Sequence, residues 1–77
     1  MLLKVESIRI YPKNKKILHF TESGVRELKT DKKGDEAVPE SLAYINSYMS
    51  EHGFKLSNVT TMEAGSVSYI IYDIYKE

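Results

Sequence analysis

Two histidines are the side chains in this sequence best suited to acid–base chemistry. His19 lies between Leu18 and Phe20, and His52 lies near the end of a predicted helix. A catalytic histidine needs an orienting carboxylate or a nearby nucleophile, and the local spacing supplies neither. We therefore predict a core or rim position for both histidines and no catalytic residue.

Metal and nucleotide chemistry have equally little support in the sequence. Asp31, Asp35 and Glu36 superficially resemble a calcium loop, but the alternating oxygen ligands and the closing glutamate are missing. The chain has no cysteine, and its four glycines are isolated, so no glycine-rich loop could hold a phosphate. The sequence predicts no metal site, no cofactor and no enzymatic activity.

Length and charge limit the class of protein. The chain has 77 residues, with 11 basic and 11 acidic side chains, and we expect one domain spanning residues 1–77. Lys4 and Glu6 interrupt any apolar run at the N-terminus, which argues against a signal peptide. Val67 to Tyr72, the longest nearly apolar stretch, is far below the roughly 20 residues of a membrane span. We expect a cytoplasmic protein without membrane contact.

The first part of the chain is typical of strands. Segments 5–11 and 17–21 are rich in β-branched and aromatic residues, and the polar spacer 12–16 between them predicts a hairpin. Leu3 and Val5 differ in parity from Ile8 and Ile10, so we favour a bulge near Glu6 over a strand covered on both faces. Within residues 22–38 the pattern leaves a strand, a helical turn and a loop open.

One helix follows a highly charged segment. We expect residues 31–38 to form a mobile charged loop. Pro39 and Glu40 suit the first turn of a helix, and Gly53 suits its end. The apolar stripe of this helix consists of Leu42, Ile45, Tyr48, Met49 and His52.

The last third of the chain returns to strands. Residues 54–57 and 59–62 have extended character, 63–66 form a turn, and 67–75 present apolar or aromatic side chains to both faces. A strand of that kind belongs in the interior of a sheet. The sequence thus predicts an α+β fold in ββ(β)αββ order, with one amphipathic helix on one face of a small antiparallel sheet of four to five strands.

A single helix covers only one face of such a sheet, which raises the question of what covers the other. We expect self-association as a homodimer, with an unidentified protein partner or the 22–38 segment as alternatives. Tyrosine suits a surface that is wet when free and apolar when docked. The predicted interface residues are Tyr69, Ile71 and Tyr75, with Tyr44 and Phe20 in addition.

Nucleic-acid binding is the alternative function. Residues 1–38 carry nine basic and six acidic side chains, and tyrosines on a sheet could stack with bases. The neutral net charge and the scarcity of arginine make this less favourable than assembly. The nucleic-acid contacts would be Lys13, Lys15, Lys16, Lys32 and Lys33.

Two stretches of the chain, residues 52–59 and 69–76, read HGFKLSNV and YIIYDIYK. Together they resemble a family of short bacterial domains of unknown function with a helix, a glycine-aromatic-x-leucine stretch and a closing strand. The resemblance covers residues 41–77, with Phe54 and Lys55 at positions where the family has tryptophan and glutamate. It implies a small sheet with one helix and no catalytic residues. We expect a small bacterial or phage protein.

Overall fold

The computed structural model describes residues 2–77. Five strands and one α-helix follow each other along the chain as β1 (Lys4–Tyr11), β2 (Lys16–Thr21), β3 (Gly24–Lys29), α1 (Ala37–His52), β4 (Lys55–Ala64) and β5 (Val67–Lys76). The strands form one antiparallel sheet in the order β3-β2-β1-β5-β4. The predicted α+β fold is confirmed. Of the segment left open, 22–38, residues 24–29 form β3 at the edge of the sheet, so this segment extends the sheet and does not cover its second face.

The β1–β2 hairpin is the expected one. A short 3-10 helix, Pro12–Asn14, joins the strands, and Lys15 after it adopts a left-handed conformation with φ 54°. The ladder then begins at Tyr11 opposite Lys16. The fixed backbone angle of proline and the polar residues that follow explain why the chain turns here.

The bulge expected in β1 is wrong. From Lys4 to Ile10, β1 pairs with β5 in continuous register, and Glu6 takes a buried position on the same face as Ile8 and Ile10. Val5 points to the other face and is exposed. A carboxylate is tolerated at the buried position because it is hydrogen-bonded there, as described below. The register shift of the sheet lies instead in β4, between Leu56 and Asn58.

Helix α1 begins two residues earlier than expected, at Ala37. The first turn of a helix has no intrahelical partner for its N–H groups, so Pro39 fits inside that turn as well as at its start. Gly53, with φ 74°, ends the helix as expected, and its N–H is directed at the Met49 carbonyl.

The loop before α1 is shorter than the predicted 31–38. Gly34–Glu36 form a 3-10 helix that leads directly into α1, which leaves residues 30–33 as the loop. The Glu40 carboxylate accepts hydrogen bonds of 2.7 and 3.0 Å from the Asp31 N–H and of 3.0 Å from the Lys32 N–H. The Lys32 N–H, followed by that of Asp31, holds the pKa of Glu40 below its usual range. The helix is thereby joined to the loop, whose mobility stays a prediction.

The core lies between α1 and one face of the sheet. Ile45 of the helix packs there with Phe54, which follows the helix. The strands contribute the remaining buried apolar side chains, which are Ile8, Ile10, Ile17, Tyr72 and Ile74. Strand β5 lies between β1 and β4, which confirms its predicted interior position, although β1 is the middle strand.

Candidate functional site

The face of the sheet opposite α1 carries a second set of apolar and aromatic side chains. Alternation along each strand and the register of β1 with its two neighbours place them together. We call this surface the open face and define it by Val5, Ser7, Arg9, Tyr11, Leu18, Phe20, Tyr69, Ile71, Asp73 and Tyr75. Most of these residues are half-buried and Val5 is exposed.

The open face contains four of the five predicted interface residues. Tyr69, Ile71 and Tyr75 alternate along β5, and Phe20 lies on β2 opposite Ser7. Tyr44 is separated from them because it lies on α1, on the other side of the sheet, where its hydroxyl contacts His19. Tyr44 therefore belongs to a different cluster.

Arg9 organises the middle of the open face, and no pattern in the sequence indicates this role. Its guanidinium carbon lies 4.9 Å from the centre of the Phe20 ring and 5.7 Å from that of Tyr69. Tyr69 in turn stacks on Tyr11, with ring centroids 4.9 Å apart. Cation–π contacts of this kind hold a charged group in place among aromatic rings. The Nε atom of Arg9 is buried and has no hydrogen-bond partner among the described residues.

Asp73 is the second charge in the middle of the open face. It lies on β5 opposite Ser7, while Arg9 lies opposite Ile71, so the two charges occupy diagonal positions on neighbouring strands. Within residues 2–77, no hydrogen bond or ion pair shorter than 4.0 Å involves the Asp73 side chain. The open face thus carries an arginine and an aspartate that do not pair with each other.

The predicted nucleic-acid residues lie toward one end of the sheet. Lys16 pairs with Lys29 across β2 and β3, so two positive charges lie directly opposite each other on one face. Both lysines line an open pocket together with Lys15, and the Lys16 ammonium lies 5.1 Å from the centre of the Tyr11 ring. This arrangement adds Lys29 to the residues predicted from the sequence.

The other predicted lysines lie on adjoining segments. Lys13 belongs to the 3-10 helix Pro12–Asn14, which lies next to the 3-10 helix Gly34–Glu36. Lys32 and Lys33 lie in the loop before the latter, and both are exposed. The Thr30 N–H donates to the Lys15 carbonyl over 3.1 Å, which fixes the two segments to each other.

A buried polar cluster lies between α1 and the sheet. The His19 Nε2–H donates to Glu6 Oε1 over 2.7 Å, and the Tyr48 hydroxyl donates to the same oxygen over 2.7 Å. On the other side of the imidazole, Nδ1 lies 2.8 Å from the Tyr44 hydroxyl. Because Nε2 donates to a carboxylate, a neutral His19 accepts at Nδ1 from Tyr44. Glu22, three residues after His19 along the chain, pairs with Lys4 instead, and β1 supplies the carboxylate for His19 through Glu6.

The carboxylate, imidazole and phenol of this cluster have the connectivity of an acid–base triad. Access argues against catalysis, because His19 is 1% exposed, Glu6 is 5% exposed and both imidazole nitrogens are already bonded. Burial, with further contributions from the Glu6 hydrogen bond and charge, raises the pKa of Tyr48 to about 12. Burial likewise raises the pKa of Tyr44. We interpret the cluster as a structural connection between α1 and the sheet.

Comparisons of the chain with protein-family models, with curated proteins and with solved structures give no match. The resemblance of residues 41–77 to short bacterial domains therefore stays a prediction. Among residues 2–77, no three His, Asp or Glu side chains lie close enough to hold a metal ion. No helix in this part of the chain combines the length and apolar character that a bilayer crossing requires.

Proposed function

We propose that this protein is a non-enzymatic assembly module that associates with copies of itself through the open face. The observation that carries the proposal is the asymmetry of the sheet. One face is packed against α1, whereas the other presents aromatic and aliphatic side chains, including Val5 at 60% exposure, with no element of residues 2–77 over them. Contiguous apolar surface on this scale often marks an interaction site.

The open face as defined extends over three neighbouring strands, β2, β1 and β5. Three strands spaced about 4.8 Å apart span about 14 Å, and eight residues of strand extend about 27 Å, which gives an area of roughly 400 Å². A standard interface buries roughly 800 Å² per partner, so residues of the flanking strands β3 and β4 would have to contribute the rest. Aromatic residues and arginine at the centre of the open face, with fewer charges than the rest of the surface, fit the composition of an interface core.

Reversing the character of the open face should abolish assembly. We expect the wild type to be a dimer by light scattering at low and high salt, and Tyr69→Asp combined with Ile71→Lys to be a folded monomer. Buried charges without partners would oppose docking in that variant. The matched control is Val59→Asp combined with Thr61→Lys. Both positions are exposed on the edge strand β4 and lie on the side of the sheet opposite the open face. A dimeric open-face variant, or a monomeric wild type, would contradict the proposal.

Single-stranded nucleic acid is the second candidate partner. The observation that favours it is the presence of stacked tyrosines, Tyr11 and Tyr69, on the same face as the opposed Lys16 and Lys29. Aromatic rings that stack with bases, beside cations that contact phosphates, are typical of sequence-tolerant single-strand binding. Assembly has more support because Asp73 in the middle of the face would repel a polyanion, and the aliphatic Ile71 and Val5 offer no ring on which a base could stack.

Lysine neutralisation tests this second candidate. If the open face binds a single-stranded oligonucleotide, Lys16→Gln combined with Lys29→Gln should lower the salt dependence of the affinity, with a slope smaller by about 1.4 for two phosphate contacts. Fluorescence anisotropy over a salt series measures that slope. Lys4→Gln combined with Lys76→Gln removes the same charge on the other side of the sheet and should leave the slope unchanged. Wild-type protein that does not bind the oligonucleotide would exclude this candidate.

Further predictions about activity and location accompany the proposal. The enclosure of His19 and Glu6 supports a role without catalysis, cofactor or metal. A cytoplasmic location and a bacterial or phage origin stay predictions from the sequence.

A further inference from the structure

We infer that the open face binds a second copy about a twofold axis, with Arg9 of each copy paired to Asp73 of the other. This inference rests on the proposed self-association and specifies its geometry. Arg9 and Asp73, the two charges in the middle of the open face, form no ion pair within the described part of the chain.

The guanidinium of Arg9 is held in one position on the open face, where a partner can bind it. The Phe20 and Tyr69 rings hold its guanidinium in place, and its Nε atom is already removed from water without a hydrogen bond to any described residue. Only Nε is enclosed, and Arg9 as a whole is half-buried, so the terminal N–H groups of the guanidinium are the donors that a second molecule can reach. Because the guanidinium presents several N–H donors in a fixed plane, a carboxylate is the partner that suits it best.

The register of β1 and β5 makes this face self-complementary. Two neighbouring cross-strand pairs on this face are Ser7 with Asp73 and Arg9 with Ile71. These four positions form a rectangle, and the two charges occupy one of its diagonals. A twofold axis that lies in the interface plane, perpendicular to this diagonal and through its midpoint, exchanges the two charged positions. Each Arg9 then faces the partner's Asp73, and both ion pairs form at once. Ile71 and Ser7, on the other diagonal, come close to the axis and meet their own copies.

The same geometry explains selectivity for a second copy. A covering surface without matching charges would bury an arginine and an aspartate without partners, and the lost hydration of both charges would oppose docking. A twofold mate satisfies both, because an isologous interface repeats every contact. Opposed charges also discourage docking in other registers, which would place like charges together.

Charge exchange tests the pairing. We expect Arg9→Asp and Asp73→Arg each to be monomeric by light scattering, because each homodimer would contain two like-charge contacts. Mixed in equal amounts, they should form a heterodimer, detected by native mass spectrometry from their different masses. In it the two introduced side chains face each other as one ion pair, and the two native side chains, Arg9 and Asp73, form the other. The double variant should regain the homodimer. Circular dichroism before mixing verifies that each single variant is folded.

The outcomes separate this inference from the proposed function. Dimeric single variants, or single variants that stay monomeric after mixing, would overturn the Arg9–Asp73 pairing while a dimeric wild type preserves self-association. A monomeric wild type would overturn both. If the charge reversals prevent folding, Asp73→Asn decides instead: a dissociation constant raised by about tenfold or more supports the pairing, and an unchanged constant overturns it.

Discussion

Replacing Glu6 by alanine is expected to cost about 2–6 kcal/mol of the free energy of unfolding, a large part of what a chain of this length possesses. The carboxylate accepts hydrogen bonds from both His19 and Tyr48, and its removal leaves one buried and one half-buried donor without an acceptor. Urea denaturation followed by circular dichroism measures the loss as a lower midpoint.

Two further variants serve as comparisons for Glu6→Ala. Glu22→Ala removes a carboxylate from an exposed pair with Lys4, and we expect a change of less than about 1 kcal/mol. Glu6→Gln keeps an oxygen acceptor and the side-chain shape, so its cost should lie between those of the other two variants. If Glu6→Ala is no less stable than Glu22→Ala, the cluster does not connect the helix to the sheet.

The second large effect is expected at Ile45, the buried apolar centre of α1. It is 1% exposed and packs with Ile8, Ile10 and Phe54 in the core. Ile45→Ala removes apolar contact and leaves a cavity under the only α-helix in residues 2–77, at a cost of about 2–5 kcal/mol. Thermal or urea unfolding would show the loss without a change in the folded spectrum.

Leu56→Ala provides the comparison for Ile45→Ala. Leu56 is 48% exposed at the start of β4, so its truncation removes fewer buried contacts and should cost under about 1 kcal/mol. Equal costs at the two positions would mean that α1 does not anchor the core.

Much of the fold can be predicted because its signals are local. The helix has a periodic apolar stripe and a glycine at its end, and β5 shows apolar residues on both faces, as an interior strand does. Two apolar positions, Val25 and Leu28, cannot identify β3, because a strand and a helical turn both accommodate that spacing. Strand β3 is defined by its pairing with β2, which is a tertiary contact.

The buried cluster cannot be predicted, for a related reason. Glu6 is separated by 13 residues from His19 and by 42 from Tyr48, and only the completed sheet brings the three together. Without those partners an inward carboxylate looks unfavourable, which is why the local pattern favours a bulge in β1. The same reason explains why the sequence does not place Tyr44 in this cluster, since its partner His19 lies on a different element.

On the open face, parity along one strand is sufficient to group Tyr69, Ile71 and Tyr75. Arg9 and Asp73 require the register between β1 and β5, which no local pattern encodes. The Lys16–Lys29 pair likewise appears only once β3 is paired with β2.

The middle position of β1 has a consequence for the newly made chain. Its second neighbour, β5, begins at Val67, so β1 leaves the ribosome 56 residues before the strand that completes it (67 − 11). At about 5–20 residues per second, one edge of β1 stays unpaired for roughly 3–11 seconds. An unpaired apolar edge can join another nascent chain, and inward-pointing charges on such an edge discourage this. We expect Glu6 to protect the nascent chain in this way before His19 and Tyr48 enclose it.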